Sequence, residues 1–257
     1  MSPDPHIQVE RLGAVQRVRI VRPEKKNALT LSMYEALTAA LRAANDDDTL
    51  AATILCGQPE AFTAGNDIAA FMAMTAQTTP GAEPVLGGPI LDFLHALATS
   101  EKPLVAAVDG LAVGVGATLL LHCDLVYATA RASLIMPFAK LGLVPEAGSS
   151  LLLPRAVGHR AAFELLVLGA PMSAERAYQL GLLNALVASE EIDDAALASA
   201  QSLAARPRSA MLKSRAMLRG EPEALAARMD EEAREFARRL ASPEAQAAFA
   251  AFTGRSG

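Results

Sequence analysis

The chain has 257 residues, of which 52% are hydrophobic and 20% charged, so it is long enough to bury a core of ordinary size. Its net charge of −5 disfavours nucleic acid as a partner, because non-specific binding to phosphates needs a basic surface. Each apolar segment is shorter than the roughly 20 residues that cross a bilayer, so no membrane segment is expected.

The N-terminal sequence, Met1 to His6, has neither the basic start nor the apolar stretch of a secretory signal, which predicts a cytoplasmic location. Cys56 and Cys123 lie in apolar segments without a second Cys or His at metal-ligand spacing. We expect buried, reduced thiols and no metal site.

The chain is predicted to open with a β-hairpin. Residues 7–12 and 15–21 alternate apolar and polar side chains around Gly13 and Ala14. Ser32 and Glu35 then have the spacing of a helix capping box, and the apolar residues that follow recur on one helical face. A helix that begins near Ser32 is therefore predicted.

Two short apolar runs, Ala52–Cys56 and Leu104–Val108, are typical of buried parallel strands. Each leads into a glycine-containing turn and a segment with helical character. The sequence therefore predicts an α/β protein in which a strand, a turn and a helix recur.

Residues 72–89 are rich in Thr, Gly and Pro and have no clear period, which predicts a mobile surface loop. Helical patterns dominate from Ser173 onward, where Ser173 and Ser242 are predicted N-caps. These C-terminal helices are rich in Ala and poor in large side chains, so we expect them to pack against a second subunit.

The segment from Gly110 to Gly116 has the spacing GxxxGxG and is predicted to join a buried strand to a helix. This spacing is similar to the cofactor loop of short-chain dehydrogenases, but none of the three tyrosines precedes a Lys by four residues, as those enzymes require. Ser149 and Ser150 lack the G-x-S-x-G context of a hydrolase nucleophile. A different chemistry is therefore favoured.

Four segments in order carry a more specific resemblance. They are residues 22–29 (RPEKKNAL), 62–68 (FTAGNDI), 102–110 (KPLVAAVDG) and 123–126 (CDLV). With these motifs the chain resembles the enoyl-CoA hydratase/isomerase family, also called the crotonase superfamily. The resemblance implies a spiral of ββα units over residues 1–190 and a helical assembly region over 191–257, in a homotrimer or a dimer of trimers.

The resemblance also implies a site for an acyl-CoA thioester, which is the substrate and needs no separate cofactor. Asn66 and Val115 occupy the positions whose backbone N–H groups form the family's oxyanion hole, which stabilises negative charge on the thioester oxygen. The implied substrate and CoA contacts are Ala28, Ala64, Asp67, Ile68, Gly114 and Phe138.

Hydratases of this family use two glutamates, but Thr118 and Phe138 stand at those positions here. Glu146 instead lies in a segment that resembles the catalytic segment of Δ3,Δ2-enoyl-CoA isomerases, which implies a shift of a 3-enoyl double bond to the 2-position with one base. Glu146 could also supply only charge at a helix start. Hydration, another crotonase-type reaction and non-catalytic acyl-CoA binding are the alternatives.

Overall fold

The first two strands form the predicted hairpin. In the computed structural model, which describes residues 4–68 and 88–253, β1 (Ile7–Leu12) pairs antiparallel with β2 (Val15–Ile20). Gly13 adopts a positive φ of 66° at the turn, a conformation that costs glycine little.

Eight further strands follow in the described part of the chain. They are β3 (Ala52–Cys56), β4 (Ala61–Thr63), β5 (Leu104–Val108), β6 (Leu111–Val113), β7 (Leu125–Thr129), β8 (Ser133–Ile135), β9 (Met172–Ser173) and β10 (Ala185–Val187). β3 and β5 have the bounds predicted from their apolar runs.

The strands form two sheets. A six-stranded sheet has the order β1-β2-β3-β5-β7-β10 and is parallel from β2 onward, and a four-stranded sheet has the order β4-β6-β8-β9. A long strand of the first sheet is followed by a short strand of the second in the pairs β3-β4, β5-β6 and β7-β8. This alternation confirms the α/β class and the predicted spiral of strand-strand-helix units.

Nine α-helices are present within residues 4–68 and 88–253. They are α1 (Leu31–Asp46), α2 (Pro89–Ala98), α3 (Val115–Thr118), α4 (Ser149–Phe163, kinked at Gly158), α5 (Ala174–Gln179), α6 (Ile192–Ala204), α7 (Arg208–Arg219), α8 (Pro222–Leu240) and α9 (Pro243–Thr253). The C-terminal third is mostly helical, as predicted. In these nine helices, no segment is long and apolar enough to cross a membrane.

The helix predicted near Ser32 is present as α1, but Ser32 is not its N-cap. Thr30, with an extended backbone, is the N-cap, and its hydroxyl accepts a 3.3 Å hydrogen bond from Met33 N. Ser32 is already inside the helix, and its hydroxyl donates to Asp4 Oδ2 at 2.7 Å. The caps predicted at Ser173 and Ser242 are confirmed, since their hydroxyls accept from Arg176 N and Ala245 N.

The core lies on both faces of the larger sheet. Alternate residues of β3, namely Ala52, Ile54 and Cys56, face α6, whereas Leu55 belongs to the main hydrophobic cluster on the other face. This explains why β3 is a continuous apolar run.

Both cysteines are free thiols, Cys56 buried and Cys123 partly buried. Most of the loop predicted over residues 72–89 lies outside the described residues, and Pro89 begins α2.

Candidate active site

Two turns meet at the carboxyl ends of β4 and β6, which are parallel neighbours in the smaller sheet. A Cβ on Gly65 would lie 2.7 Å from Val113 O, and a Cβ on Gly116 would lie 2.5 Å from Thr63 Cγ2. Only glycine at these two positions lets the backbones approach so closely. The pairing of β4 with β6 therefore brings the turn that holds Asn66 against the turn that holds Val115.

Both turns contain a backbone N–H that takes no part in secondary structure. Leu29 and Asn66 form an isolated β-bridge, in which Leu29 N donates to Gly65 O and Asp67 N donates to Leu29 O. These two hydrogen bonds involve the neighbours of Asn66 and leave its own N–H unused. Val115 is the first residue of α3 and its N–H has no acceptor in the helix. Among the hydrogen bonds between described residues, neither N–H has an acceptor, and both residues line one cavity.

The side chain of Asn66 is bound by a residue of α1. The hydroxyl of Tyr34 donates to Asn66 Oδ1 at 2.6 Å, and the Tyr34 ring packs at a tilt on Phe93 with centroids 5.4 Å apart. Burial and, less strongly, the charge of Glu146 raise the pKa of Tyr34 well above its ordinary value. The phenol therefore stays protonated and acts as a hydrogen-bond donor to Asn66.

Glu146 is buried three residues before α4, with 3% of its surface exposed. Burial raises the pKa of its carboxyl to about 7, because the charged form is poorly solvated. A 2.8 Å hydrogen bond from the Thr118 hydroxyl to Oε1 opposes this rise, and the nearby charge of Glu232 adds to it. A carboxyl with a pKa near neutrality can both accept and return a proton.

The backbone after Glu146 is strained. Ala147 has a φ of 61°, a left-handed conformation that is unfavourable for a residue with a Cβ, and Gly148 follows with a φ of 70°. The ring of His122 holds this turn, since its Nε2 donates to Ala147 O at 2.7 Å. Burial lowers the pKa of His122 to about 4, so the ring is neutral and does not compete for protons near pH 7.

A cavity of about 130 Å³ lies between the two turns and Glu146. Its wall includes seven of the site residues predicted from the sequence, namely Ala64, Asn66, Ile68, Gly114, Val115, Phe138 and Glu146. Glu146 is the only carboxylate among the described residues of this wall, and most of the remaining surface is apolar. The cavity therefore combines two N–H donors and one base in an apolar setting.

Two predicted contacts, Ala28 and Asp67, do not line this cavity. Both are bound by Arg22, whose Nη1 donates to Ala28 O at 2.9 Å and to Asp67 Oδ2 at 2.7 Å. Arg22 therefore fastens the turn before Leu29 to the Asn66 turn, next to the cavity wall. A contact of Ala28 or Asp67 with CoA remains a prediction.

Residues distant in sequence complete the site and were missed by sequence reasoning. Tyr34 of α1 contacts the Asn66 turn, Glu232 of α8 contacts the segment after Glu146, and Phe236 lines the cavity one helical turn beyond Glu232. Phe249 of α9 lines the cavity as well. The helical pattern of α8 placed Glu232 and Phe236 on one face, but it carried no signal that this face meets the Glu146 segment.

Comparison with known proteins gives a consistent result. The model of the family "Enoyl-CoA hydratase/isomerase" matches residues 10–256. Enoyl-CoA delta isomerase 2 of Rattus norvegicus is 33% identical over 251 residues, which are 97% of this chain and 63% of the rat protein, so the chain spans less than two thirds of that relative. A probable enoyl-CoA hydratase of Rhizobium meliloti is 34% identical over 76% of this chain and 74% of its own length. The structure of Pseudomonas aeruginosa OdaA superposes with a TM-score of 0.90 at 41% identity, covering 97% of this chain and 99% of that one.

Proposed function

The chain belongs to the enoyl-CoA hydratase/isomerase family, and from this premise we propose that it converts 3-enoyl-CoA thioesters to 2-enoyl-CoA thioesters. The proposal rests on which residues line the cavity. Within the described residues, the cavity wall contains one carboxylate, Glu146, together with the turns of Asn66 and Val115. A shift of a double bond needs one base that moves one proton, whereas the family's hydration engages two carboxylates.

The first step is removal of a proton from C2 of the acyl group by ionised Glu146. The electrons of the C2–H bond delocalise over the dienolate, and negative charge develops on the thioester oxygen. The N–H groups of Asn66 and Val115 donate to this oxygen and stabilise it more in the transition state than in the substrate. Because neither N–H has an acceptor in the described structure, neither has to give up a hydrogen bond to do so.

The second step returns the proton from Glu146 to C4, so that the double bond moves from C3–C4 to C2–C3. The same carboxyl serves as base and then as acid, which requires a pKa between those of an ordinary carboxyl and a strong base. The pKa of about 7 that burial gives Glu146 suits both roles. The apolar wall formed by Phe138, Leu141 and Leu143 keeps water away from the dienolate.

Hydration fits this cavity less well. Thr118, at one of the hydratase glutamate positions, is buried and donates a hydrogen bond to Glu146, and a neutral hydroxyl cannot act as a base near neutral pH. Phe138, at the other position, presents an apolar ring to the cavity. A water molecule in this cavity would have Glu146 as its one carboxylate partner among the described residues.

The test compares the rates at which the purified protein isomerises 3-enoyl-CoA and hydrates 2-enoyl-CoA substrates of several chain lengths. We expect isomerisation to be faster, and Glu146→Gln to lower it by about 100-fold or more, because the amide keeps the size of the side chain but not its basicity. Binding of a saturated acyl-CoA, which cannot react, should persist in the variant. Faster hydration by the parent, or an active Glu146→Gln protein, would contradict the isomerase proposal and favour the hydratase alternative.

We also propose that the protein assembles as a homotrimer or a dimer of trimers. The end of α4 and the π-helical segment that follows it (Glu164–Leu168) expose three large apolar side chains, Phe163, Val167 and Leu168, and α7 exposes Met217 and Leu218. A surface of this kind is typical of one that a neighbouring subunit covers. The cytoplasmic location stays a prediction.

A further inference from the structure

A second buried carboxylate lies beneath the segment that contains Glu146. Glu232 of α8 is 6% exposed, and each of its oxygens accepts a backbone hydrogen bond. Oε2 accepts from Gly148 N at 2.6 Å and Oε1 accepts from Ser150 N at 3.0 Å. An ionised carboxylate satisfies two such donors best, because both of its oxygens are then full acceptors.

The two amides that Glu232 binds are at the start of α4, directly after Glu146. The first N–H groups of a helix have no acceptor within the helix, and Gly148, at the N-cap position, has no side chain that could provide one. Glu232 therefore caps α4 from a position 84 residues further along the chain. A buried helix start without this carboxylate would leave two amide donors unsatisfied.

The packing of α8 on this turn is close. A Cβ on Gly148 would collide with the side chain of Leu225, which lies two turns before Glu232 in the same helix. Ala147, between Glu146 and Gly148, holds a left-handed conformation that a free segment would leave. The helix therefore fixes the strained turn on one side, while His122 fixes it on the other.

We propose that Glu232 is a positioning residue for Glu146: its two hydrogen bonds to Gly148 and Ser150 hold the strained turn that aims the base into the cavity. This role rests on the proposed function of Glu146. It makes α8, which also supplies Phe236 to the cavity wall, part of the active site rather than only of an assembly region.

The charge of Glu232 allows a second test of the proposal, through its effect on the pKa of Glu146. The groups that face Glu146 from the packed elements are the Thr118 hydroxyl, neutral Tyr34, the neutral ring of His122 and Glu232. Burial raises the pKa of Glu232 above its ordinary value, and its hydrogen bonds with Ser150 and Gly148 oppose this rise. In its ionised form, which these two donors favour, Glu232 raises the pKa of Glu146. Removing this charge should lower the pKa of Glu146, whereas loosening of a purely structural contact would not.

The test uses Glu232→Gln, with Glu231→Gln as the matched control because Glu231 is the preceding residue and its side chain is 65% exposed. Gln keeps the size of the side chain but places an NH2 group against one of the two amide donors. We expect kcat to fall about 10- to 100-fold with KM within about threefold of the parent, since a displaced base impairs the reaction more than binding. The control should match the parent in both constants.

The pKa of Glu146 is measured separately, by carbon NMR of glutamate-labelled protein with Glu146→Gln used for assignment. We expect it to fall in Glu232→Gln and to stay unchanged in Glu231→Gln. This measurement does not depend on turnover, so a protein that fails to isomerise 3-enoyl-CoA but shows the shift would refute the proposed function and leave the coupling intact. A folded Glu232→Gln protein with the parent's kcat, or with the parent's Glu146 pKa, would overturn the positioning role.

If the Gln variant does not fold, Glu232→Asp tests the positioning role instead. The shorter side chain keeps the charge but cannot reach both amides at their present distances. We expect kcat to fall with KM retained while the pKa of Glu146 stays raised. A kcat equal to that of the parent would show that the reach of Glu232 to the Glu146 turn has no part in the reaction.

Discussion

The Thr118 hydroxyl donates a 2.8 Å hydrogen bond to Glu146 Oε1, so α3 contacts the segment before α4 at the base in the cavity wall. α3 begins at Val115, whose N–H is one of the two proposed oxyanion donors. One short helix therefore contributes an oxyanion donor at its first residue and a partner of the base at its last.

Replacing Thr118 by Val should move the pH dependence of activity. The hydrogen bond from Thr118 favours the charged carboxylate and lowers the pKa of Glu146, so its loss should raise that pKa further. The acidic limb of the kcat/KM profile should therefore shift to higher pH, and activity near pH 6 should fall more than activity near pH 8. Thr118→Ser, which keeps the hydroxyl, is the control, and a Val profile shifted to lower pH would contradict the interpretation.

The parent protein should show linked pH dependences of activity and stability. Only ionised Glu146 removes the C2 proton, so kcat/KM should rise as pH increases through about 7. The folded pKa lies above the ordinary value of 4.5, so the stabilising effect of the neutral carboxyl is complete below pH 4.5 and is lost as pH rises through about 7.

This stability term is measurable by comparison with Glu146→Gln, which has no carboxyl to titrate. The free energy of unfolding of the parent, relative to the variant, should fall by about 3 kcal/mol between pH 4.5 and pH 8. Urea unfolding at several pH values gives this difference. A constant difference across that range would mean that Glu146 titrates at its ordinary pKa.

Much of the fold was predictable because its signals are local. The apolar runs of β3 and β5 and the alternation of β1 and β2 gave the strands, because each pattern reflects burial on two faces or on one. The N-cap of α1 was misplaced because Thr30 and Ser32 are both suitable capping residues, and the contact of Ser32 with Asp4 is what distinguishes them.

The site was predictable where a motif lies on one turn and not where tertiary contacts complete it. Asn66, Val115 and Glu146 were found through motifs, and the structure places all three around one cavity. Tyr34 and Glu232 were missed because each acts on a turn far away in the sequence through one or two hydrogen bonds. No spacing rule within a helix indicates which distant turn its face will meet.

Tyr34→Phe should lower activity through the Asn66 turn. The change removes the donor to Asn66 Oδ1, so we expect kcat to fall about 3- to 10-fold and stability to fall by about 1 kcal/mol. Tyr127→Phe is the matched control, since the Tyr127 hydroxyl lies 2.6 Å from Ser199 Oγ and Tyr127 packs against the cluster around α6. It should lose similar stability but keep the parent's kcat. Equal kcat in both variants would exclude a role for the Tyr34 bond.

The proposed assembly predicts the mass in solution. Light scattering at micromolar concentration should give three or six times the 26.8 kDa of one chain. The exposed apolar side chains of α7 are a reason to expect association, since Met217 and Leu218 are 76% and 88% exposed. A stable monomer under these conditions would refute the trimer and its multiples.

Gly116→Ala should separate the two turns and thereby test the oxyanion site. The added Cβ would lie 2.5 Å from Thr63 Cγ2 and 2.9 Å from Thr63 O, so α3 and the Asn66 turn could no longer pack at their present distance. If the thioester oxygen then loses one of its two donors, kcat should fall about 100- to 1,000-fold. Steady-state kinetics with the 3-enoyl substrate, together with a thermal unfolding curve, measure this loss.

A second substitution, Thr63→Ser, should restore part of the activity that Gly116→Ala loses. Thr63→Ser removes the Cγ2 methyl group but keeps the hydroxyl, which donates to Asn27 O at 2.6 Å and accepts from Gly65 N at 3.1 Å. Thr63→Ser alone should therefore retain most of the parent's activity, and the double variant should recover part of the activity that Gly116→Ala loses. The recovery is expected to be partial because the contact with Thr63 O remains. If the double variant is as inactive as Gly116→Ala, crowding against the Thr63 methyl is not the cause. If Gly116→Ala itself is fully active, the close contact of the two turns is not required for the reaction.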